Sequence, residues 1–368
     1  MTGSIKYIFS QFQTNCSFKA SRPFGSGHIN NTYLIAAAAE EEKQFILQQI
    51  NQHVFPNVAE LQSNILKITR EIQSKLYPFQ DKACLFLFTT HSGSTFYQDD
   101  STGQYWRLFP FIENSQSFDQ VLLPEIAFES GLAFGLFLNH LAEMDTDSVY
   151  EIIPDFHNIE FRYQQFEHAL QHGSSQRKKS AVQETNFVKD RIESLSQILE
   201  MEKRGVLKSR IVHNDSKINN VLFDSKTSHW KCVIDLDTVM KGLPHYDYGD
   251  SVRTITSSAA EDESDLDKVY IHKTYFQAFT RGFLNHTSRF LTQTEAGMLA
   301  EGARYMCFII GLRFLTDFLS GDIYYKTKYG GHNLTRARVQ FKLVRDIEKN
   351  ISEFNDFVMN EYWRNRKK

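Results

Sequence analysis

The chain has 368 residues and a formal net charge of −3, with 41% hydrophobic and 23% charged residues. This length would allow roughly two or three domains, and the composition is ordinary for a globular protein that buries a core. The small net charge provides no overall basic surface, so we expect neither nucleic acid nor a membrane as a partner.

The four cysteines, Cys16, Cys84, Cys232 and Cys307, are far apart in the sequence and form no CxxC pair. This pattern argues against a zinc site and a disulfide framework, and it fits a reducing compartment. Residues 1–12 lack the basic and then apolar pattern of a signal peptide, and no apolar run is long enough to span a bilayer. We therefore expect a cytoplasmic protein.

A glycine-rich segment near the N-terminus lies between two predicted strands, within residues 23–35. Gly25, Ser26 and Gly27 would let the backbone approach a phosphate with its N–H groups turned toward it. An ordinary hairpin turn is the alternative explanation. Asn30 stands where the protein-kinase loop has its third glycine, so the position of the segment ahead of the motif described below is what favours phosphate binding.

The rest of the N-terminal part is predicted to contain strands and one helix. Residues 45–48 are predicted to form a strand after a hairpin tip at 36–42, and apolar residues at helical spacing predict a helix at 58–76. Residues 85–90 and 105–111 have the composition of two further strands.

The C-terminal part is predicted to be mostly helical. Small residues at Gly131, Ala133 and Gly135 would permit close contact between helices. Arg313 and Asp317 are four residues apart and could pair on one helical face. The segment 173–183 is predicted to be a mobile polar loop and 258–267 an exposed acidic segment. Helices are predicted at 127–141, 156–170, 187–202, 268–284, 294–320 and 335–362.

Residues 211–253 carry the side chains that are most informative about chemistry. Asp215 and Asn220 lie in a polar turn that leads into a predicted hairpin, and Asp235 lies at the exit of that hairpin. We expect these side chains near one end of the hairpin, where their oxygens would suit a hard cation such as Mg²⁺. This spacing is the one found in phosphoryl-transfer enzymes, which have an Asp, an Asn five positions later and an Asp after the next strand.

The sequences HNDSKINN (213–220) and IDLDT (234–238) resemble the catalytic and metal-binding loops of the aminoglycoside phosphotransferase and choline kinase superfamily. Further segments resemble the bacterial N-acetylhexosamine 1-kinase group within it, so that the resemblance covers nearly the whole chain. These segments are PFGSGHINNTYLI (23–35), FILQQINQHVF (45–55), RFLTDFLSGDIYYK (313–326) and HNLTRARVQFKLV (332–344).

The resemblance implies an α+β, bilobal, protein-kinase-like fold. A small β-rich nucleotide-binding lobe would span residues 1–109, and a larger, mostly helical catalytic and substrate-binding lobe would span 110–368. ATP and Mg²⁺ would bind between the lobes. The implied nucleotide contacts are Gly25, Ser26, Gly27, Gln48 and the hinge residues Pro110 and Ile112, with Phe109 or Phe111 packing either on the adenine or in the core.

The resemblance also assigns roles around the phosphates. Asp215 would accept the proton of the acceptor hydroxyl, while Asn220 and Asp235 would hold Mg²⁺. Gln48 stands where such folds place a lysine, and it brings hydrogen bonds but no charge. Lys217 either supplies the missing positive charge or is a solvated loop lysine.

Two further aspartates and the acceptor remain to be assigned. Asp247 would brace the catalytic loop, and Asp237 would either contact the metal or hold its own loop. Arg313 matches a position that the N-acetylhexosamine kinase group uses to hold its sugar, although a salt bridge to Asp317 explains it too. Tyr324 matches another such position, and His28 and Asn31 are weaker sugar-side or phosphate-side candidates.

The implied reaction is transfer from ATP to the anomeric hydroxyl of an N-acetylhexosamine or a related hexose. One alternative is a kinase of the same fold that acts on an aminoglycoside or an amino alcohol. An aminoglycoside pocket should be acidic, which Arg313 opposes. The other alternative is a catalytically silent nucleotide-binding protein. The missing strand lysine favours it, and Asp215, Asn220 and Asp235 oppose it.

Overall fold

The computed structural model describes residues 2–25, 29–39, 42–76 and 83–367. The chain divides into two compact units. The first consists of Met1–Gln116, Asp145–Ile153 and Leu222–Met240. The second consists of Ser117–Met144, Pro154–Val221 and Lys241–Lys368. The lobe boundary at residues 109 and 110 remains a prediction.

The first unit contains a five-stranded sheet and helices. Neighbouring strands pair antiparallel in the order β1-β2-β3-β5-β4. The strands are β1 (Ser17–Pro23), β2 (Asn31–Ala38), β3 (Lys43–Ile50), β4 (Tyr97–Gln98) and β5 (Tyr105–Pro110). The helices are α1 (Thr2–Phe9) and α2 (Val58–Lys75). The predicted helix at 58–76 and strand at 105–111 are therefore confirmed.

The two faces of this sheet differ in chemistry. Phe45 and Leu47 of β3 and Trp106 and Leu108 of β5 are buried in one apolar cluster with residues of α1. Side chains alternate between the faces of a strand, so the residues between them point the other way. That opposite face carries Arg107 of β5.

A second sheet in the same unit confirms the predicted hairpin after residue 220. It has the order β6-β8-β9, in which β6 is Ser115–Gln116, β8 is Val221–Asp224 and β9 is Trp230–Val233. The tight 3₁₀ turn Leu236–Thr238 follows β9 and places Asp235 and Asp237 on either side of its first residue.

The second unit is helical apart from a small sheet of β7 (Arg210–Val212) and β10 (Met240–Gly242), the strand at which the chain passes between units. Its helices include α3 (Pro124–Leu141), α4 (Ile159–His172), α8 (Pro244–Ile255), α9 (Lys273–Thr287), α11 (Leu299–Ser320) and α12 (His332–Arg366). The shorter helices are α5 (Ser175–Ser180), α6 (Val182–Lys189), α7 (Ile192–Lys203) and α10 (Gln293–Gly297).

The small residues of α3 allow a close contact with α9, as predicted for helices that pack through such residues. A Cβ atom added to Gly131 would collide with the carbonyl oxygen of Phe279 in α9, and one added to Gly282 would collide with that of Phe128 in α3. The two backbones therefore touch at this crossing, which only glycine permits on both sides.

Several predicted elements are wrong in detail. Residues 85–90 form no strand, because within the described residues the segment shares too few backbone bonds for a ladder, among them Phe88 N–H to the Leu108 carbonyl. The predicted loop 173–183 contains helix α5, whose Arg177 donates to Asp322 and to the Phe318 carbonyl. The helices predicted at 187–202 and 294–320 are each divided in two.

No helix in the described part of the chain is both long enough and apolar enough to cross a membrane.

Candidate functional site

Helix α8 holds the loop between β7 and β8 in place through hydrogen bonds. Both carboxylate oxygens of Asp247 accept backbone N–H bonds, from His213 at 2.8 Å and from Asn214 at 2.7 Å. The Ser216 hydroxyl donates to the Asp247 carbonyl at 2.7 Å, and the Ser251 hydroxyl donates to the Ser216 carbonyl at 2.6 Å. Asp247, which lies in the first turn of this helix, therefore braces the loop as predicted.

The His213 side chain belongs to the core of the second unit. Its ring lies 5.7 Å from that of Phe134 and 5.6 Å from that of Phe137, and the residue is fully buried. A ring packed against two phenylalanines is poorly placed to exchange protons with a ligand.

Asp215, Lys217 and Asn220 come together on this loop. The Lys217 Nζ lies 2.8 Å from Asp215 Oδ2. The Asn220 Nδ2 donates to the Asp215 carbonyl at 2.8 Å and to its Oδ2 at 3.2 Å. The Asp215 side chain keeps 29% of its surface exposed, so the carboxylate is fixed in orientation and still accessible.

Electrostatics keep Asp215 ionised. Burial is the largest single influence and raises the pKa of this carboxyl, but the Lys217 ammonium, His213 and the Asn220 amide together outweigh it. The pKa of Asp215 is therefore lowered below its ordinary value. A carboxylate that is ionised, oriented and accessible is what a general base requires.

The donor set at the predicted metal ligands fits a hard cation. The Asn220 amide nitrogen is turned toward Asp215, so the Oδ1 atom faces away and has no hydrogen-bond partner within the described residues. Asp235 is exposed and adopts the left-handed conformation, with φ 62° and ψ 59°. Amide and carboxylate oxygens are the ligands that Mg²⁺ prefers. Within the described residues, no three His, Cys, Asp or Glu side chains are grouped for metal binding.

Asp237 holds its own loop, the second of the two predicted alternatives. Its carboxylate forms a buried ion pair with both terminal nitrogens of Arg107, and the Asn30 amide donates to Asp237 Oδ2 at 2.7 Å. Arg107 was not singled out in the sequence. The only available signal was a charged residue inside an otherwise apolar strand.

Gln48 takes part in the same arrangement. Its Oε1 accepts from Arg107 Nε at 2.9 Å, and its Nε2 donates to Thr32 Oγ1 at 3.0 Å. The amide that stands at the lysine position is thus engaged within the sheet, and a contact of Gln48 with phosphate remains a prediction.

The other predicted nucleotide contacts are only partly described. Gly25 has a left-handed φ of +79°, while Ser26, Gly27 and His28 lie outside the described residues. The hinge segment begins at Pro110, where β5 ends, and the Ile112 carbonyl accepts a bond from the Ser115 hydroxyl. Contacts of Pro110 and Ile112 with adenine remain predictions.

The candidate rings and Asn31 have partners within the first unit. The Phe111 ring packs against that of Phe24 at 5.9 Å, and Phe109 lies under the Arg107 guanidinium at 5.0 Å. Asn31 donates to the Gln49 side chain at 2.9 Å. Its predicted contact with substrate remains a prediction.

On the acceptor side, the predicted pair between Arg313 and Asp317 does not form. Asp317 instead accepts the backbone N–H groups of the turn after α11 and the amide of Asn333, and these donors occupy both of its oxygens. The turn residues are Ile323, Tyr324 and Tyr325, at 3.0, 2.8 and 2.9 Å. Asp317 therefore fixes the segment that carries Tyr324, whose own side chain is 67% exposed.

The Arg313 guanidinium stacks on two aromatic rings, at 5.1 Å from the centre of Phe156 and 5.8 Å from that of Tyr325. It makes no hydrogen bond or ion pair with any residue that the structure describes. Arg162, which sequence reasoning missed, donates to the Phe156 carbonyl at 3.0 Å. Burial, and then the neighbouring charge of Arg313, lower the pKa of Arg162 to about 10, so the Arg162 guanidinium is charged at neutral pH.

His157 links this arginine pair to the catalytic loop. Burial, above all, lowers its pKa to about 3, so the ring is neutral. Its Nε2 lies 3.0 Å from the Asn214 carbonyl, which assigns the proton to Nε2 as donor. The charges of Arg313 and Arg162 lower the pKa of His157 further, and the charge of Asp215 raises it. All four of these residues belong to the second unit.

This chain is similar to one known protein family and to several solved structures. Residues 21–270 match the model of the phosphotransferase enzyme family APH. An aminoglycoside phosphotransferase from Alicyclobacillus acidocaldarius subsp. acidocaldarius DSM 446 is similar, with a TM-score of 0.60, 9% identity and coverage of 96% of this chain and 95% of that chain. Choline kinase from Cryptosporidium parvum Iowa II has a TM-score of 0.56 and 13% identity, with coverage of 92% and 91%.

An amicoumacin kinase in complex with AMP-PNP, Ca²⁺ and the ligand Ami is also similar, with a TM-score of 0.55, 12% identity and coverage of 90% and 89%. These similarities confirm the predicted protein-kinase-like fold, with a β-sheet N-terminal region and a helical C-terminal part. The family match spans more than half of the sequence. The chain belongs to the APH phosphotransferase enzyme family.

Proposed function

We propose that this protein transfers the γ-phosphoryl group of ATP to the anomeric hydroxyl of an N-acetylhexosamine or a related hexose. The observation that carries the proposal is Asp215, an ionised and accessible carboxylate whose orientation is fixed by Lys217 and Asn220. Phosphoryl transfer needs little covalent chemistry from the protein. It needs an oriented acceptor hydroxyl and neutralisation of the phosphate charge.

In this proposal, Asp215 accepts the hydrogen bond of the attacking hydroxyl and takes up its proton as the new bond forms. Lys217 helps to keep the Asp215 carboxylate ionised and adds a positive charge next to it. On the strength of their spacing in the sequence, Asn220 and Asp235 are the proposed metal ligands. A bound Mg²⁺ supplies charge neutralisation on the phosphate oxygens.

The charge near the acceptor residues favours a neutral polyhydroxyl acceptor. Arg162 and Arg313 place two positive charges that act on His157, whose ring donates to the Asn214 carbonyl next to Asp215. A polycationic aminoglycoside would be repelled there, whereas sugar hydroxyl and acetamido oxygens can accept the unused guanidinium N–H groups. Two of the similar proteins named above are an aminoglycoside phosphotransferase and a choline kinase, so aminoglycosides and amino alcohols form the second candidate class of acceptor.

An ATP-consumption assay over a panel of acceptors tests the proposal. The panel contains free N-acetylhexosamines, unsubstituted hexoses, choline and other amino alcohols, and aminoglycosides, each with wild-type protein and with Asp215→Asn. We expect turnover with an N-acetylhexosamine or a hexose that Asp215→Asn loses. Turnover with amino alcohols or aminoglycosides alone would replace the proposed acceptor, and nucleotide binding without turnover of any acceptor would identify a silent protein.

The variant Lys217→Met should shift the acid limb of the pH–rate profile. Lys217 lowers the pKa of Asp215, so its removal raises that pKa, and the base becomes protonated at a higher pH. We expect the acid limb of kcat to move to higher pH, with a lower plateau because a positive charge is lost. Lys226→Met, which removes an exposed lysine of the β8–β9 loop, is the control. Coincident acid limbs in all three proteins would contradict the assigned pairing.

The variant Arg313→Met should weaken binding of the acceptor and leave binding of ATP unchanged. Methionine keeps an apolar contact with Phe156 but removes the hydrogen bonds that the guanidinium offers. Hydrogen bonds to a charged group contribute about 1.5–3 kcal/mol, so KM for the acceptor should rise roughly 10- to 100-fold. Arg345, which stacks on Phe187 at a matching 5.1 Å, provides the control Arg345→Met. Equal KM values for the two variants would remove Arg313 from the acceptor site.

A further inference from the structure

A continuous chain of polar contacts crosses the sheet of the first unit. Thr32, Gln48 and Arg107 occupy facing positions on β2, β3 and β5, since Thr32 pairs with Gln48 and Gln48 pairs with Arg107. The side chains form hydrogen bonds in the same order, from Arg107 Nε to Gln48 and from Gln48 to Thr32. The contacts therefore follow from strand register.

The chain continues from the sheet to the turn after β9. Arg107 donates through both terminal nitrogens to Asp237, one bond to each carboxylate oxygen. Asn30 donates to the same carboxylate, and its own Oδ1 accepts the backbone N–H of Asn51 at 3.0 Å. The Asp237 carboxylate thus connects three segments of the first unit. These are the glycine-rich segment with Asn30, strand β3 with Gln48, and the turn that follows Asp235.

This ion pair is deeply buried, with Arg107 1% exposed and Asp237 4% exposed. A buried pair of charges is stable only when its remaining hydrogen-bonding groups are satisfied, and a bidentate arginine–carboxylate contact has the most specific geometry. Both oxygens of Asp237 are occupied by donors. Asp237 therefore serves as an acceptor for Arg107 and not as a second ligand of a metal.

The pair fixes a turn with an unfavourable backbone. Asp235 has φ 62° and ψ 59°, a left-handed conformation that is unfavourable for a non-glycine residue. Such a conformation persists where surrounding contacts determine the turn. Asp237 is two residues away within the same turn, and its carboxylate has three donors from two other parts of the unit.

We propose that Arg107 is a positioning residue for the phosphoryl-transfer site: by clamping Asp237, it holds the Asp235 carboxylate in the conformation that binds the metal. It occupies the strand next to the one where related folds carry a lysine, and it makes its ion pair with the metal-site turn. Arg107, on the neighbouring strand of the sheet, then compensates for the absence of a lysine at position 48. This inference rests on the proposed function, because it takes Asp235 as a metal ligand.

The test measures binding of Mn²⁺ to the protein with AMP-PNP, from the free Mn²⁺ signal in electron paramagnetic resonance, together with thermal unfolding. The variants are Arg107→Lys, Asp237→Asn and the double variant Arg107→Gln/Asp237→Asn. The double variant removes both buried charges and so avoids leaving one of them unpaired. We expect each variant to bind Mn²⁺ about 10- to 100-fold more weakly, as is typical when a residue behind a metal ligand is changed.

Arg210→Gln is the matched control, because Arg210 forms a bidentate, buried pair with Glu295 in the second unit. It should lower the unfolding temperature and leave the affinity for Mn²⁺ unchanged. Weakening by Asp237→Asn but not by Arg107→Lys would make Asp237 a metal ligand and overturn the inference. Unfolding shifts with unchanged Mn²⁺ affinity in all Arg107 and Asp237 variants would reduce the pair to a structural role. No Mn²⁺ binding by the wild-type protein would overturn the proposed function itself.

Discussion

The variant Asp215→Asn is expected to lose turnover by about 10²–10⁴-fold, the usual contribution of a general base, while its affinity for ATP stays close to that of the wild type. Asparagine preserves the shape of the side chain and can still accept a bond from Lys217, but it cannot take up a proton. The measurement is kcat from ADP release, alongside nucleotide binding by calorimetry.

Asp145→Asn is the control for this substitution. Asp145 is exposed and caps a 3₁₀ turn by accepting the Asp147 N–H, a bond that asparagine makes equally well. Its kcat should match that of the wild type. A fully active Asp215→Asn protein would show that another group accepts the proton and would remove the observation on which the proposed function depends.

The variant Asp247→Leu is expected to lower both stability and turnover. Leucine is similar in size but leaves the buried N–H groups of His213 and Asn214 without acceptors, at about 1–3 kcal/mol each. The loop should then lose its fixed position, and a displacement of about 1 Å at a reacting group can reduce kcat roughly 100-fold. Chemical denaturation and kcat of the soluble protein check the two effects.

Asp247→Asn provides an internal comparison, since it retains one acceptor and removes a charge that burial disfavours. It should lie between the wild type and Asp247→Leu in stability. Asp265→Asn, at an exposed residue that accepts a single backbone N–H bond, should change neither property. Normal turnover in a folded Asp247→Leu protein would mean that the loop does not need this brace.

Local sequence patterns predicted the parts of the fold that local interactions determine. Helix α2 follows directly from the spacing of Leu61, Ile65, Ile68 and Ile72, which are all buried. The catalytic loop and the β8–β9 hairpin were predictable because their turn residues and strands are contiguous in sequence. Asp247 could be assigned to bracing only through family resemblance, since its partners are more than 30 residues away.

The features that were missed depend on register and tertiary contact. Arg107 reaches Gln48 because two strands align, and it reaches Asp237 across 130 positions of sequence. Asp317 is four residues from Arg313, which is the spacing of an ion pair on a helix. Its carboxylate instead accepts backbone N–H groups from the turn that follows the helix. The same limit applies to residues 85–90, whose apolar composition predicts a strand although the segment has few backbone partners.

The position of the phosphate on the product tests the central claim most directly. Wild-type protein is incubated with ATP, Mg²⁺ and an N-acetylhexosamine, and the product is examined by ³¹P and ¹H NMR. The account predicts a phosphate ester whose phosphorus couples to the anomeric proton, formed at least about 100-fold more slowly with Asp215→Asn. A phosphate on any other carbon, or phosphorylation confined to amino alcohols or aminoglycosides, would contradict it.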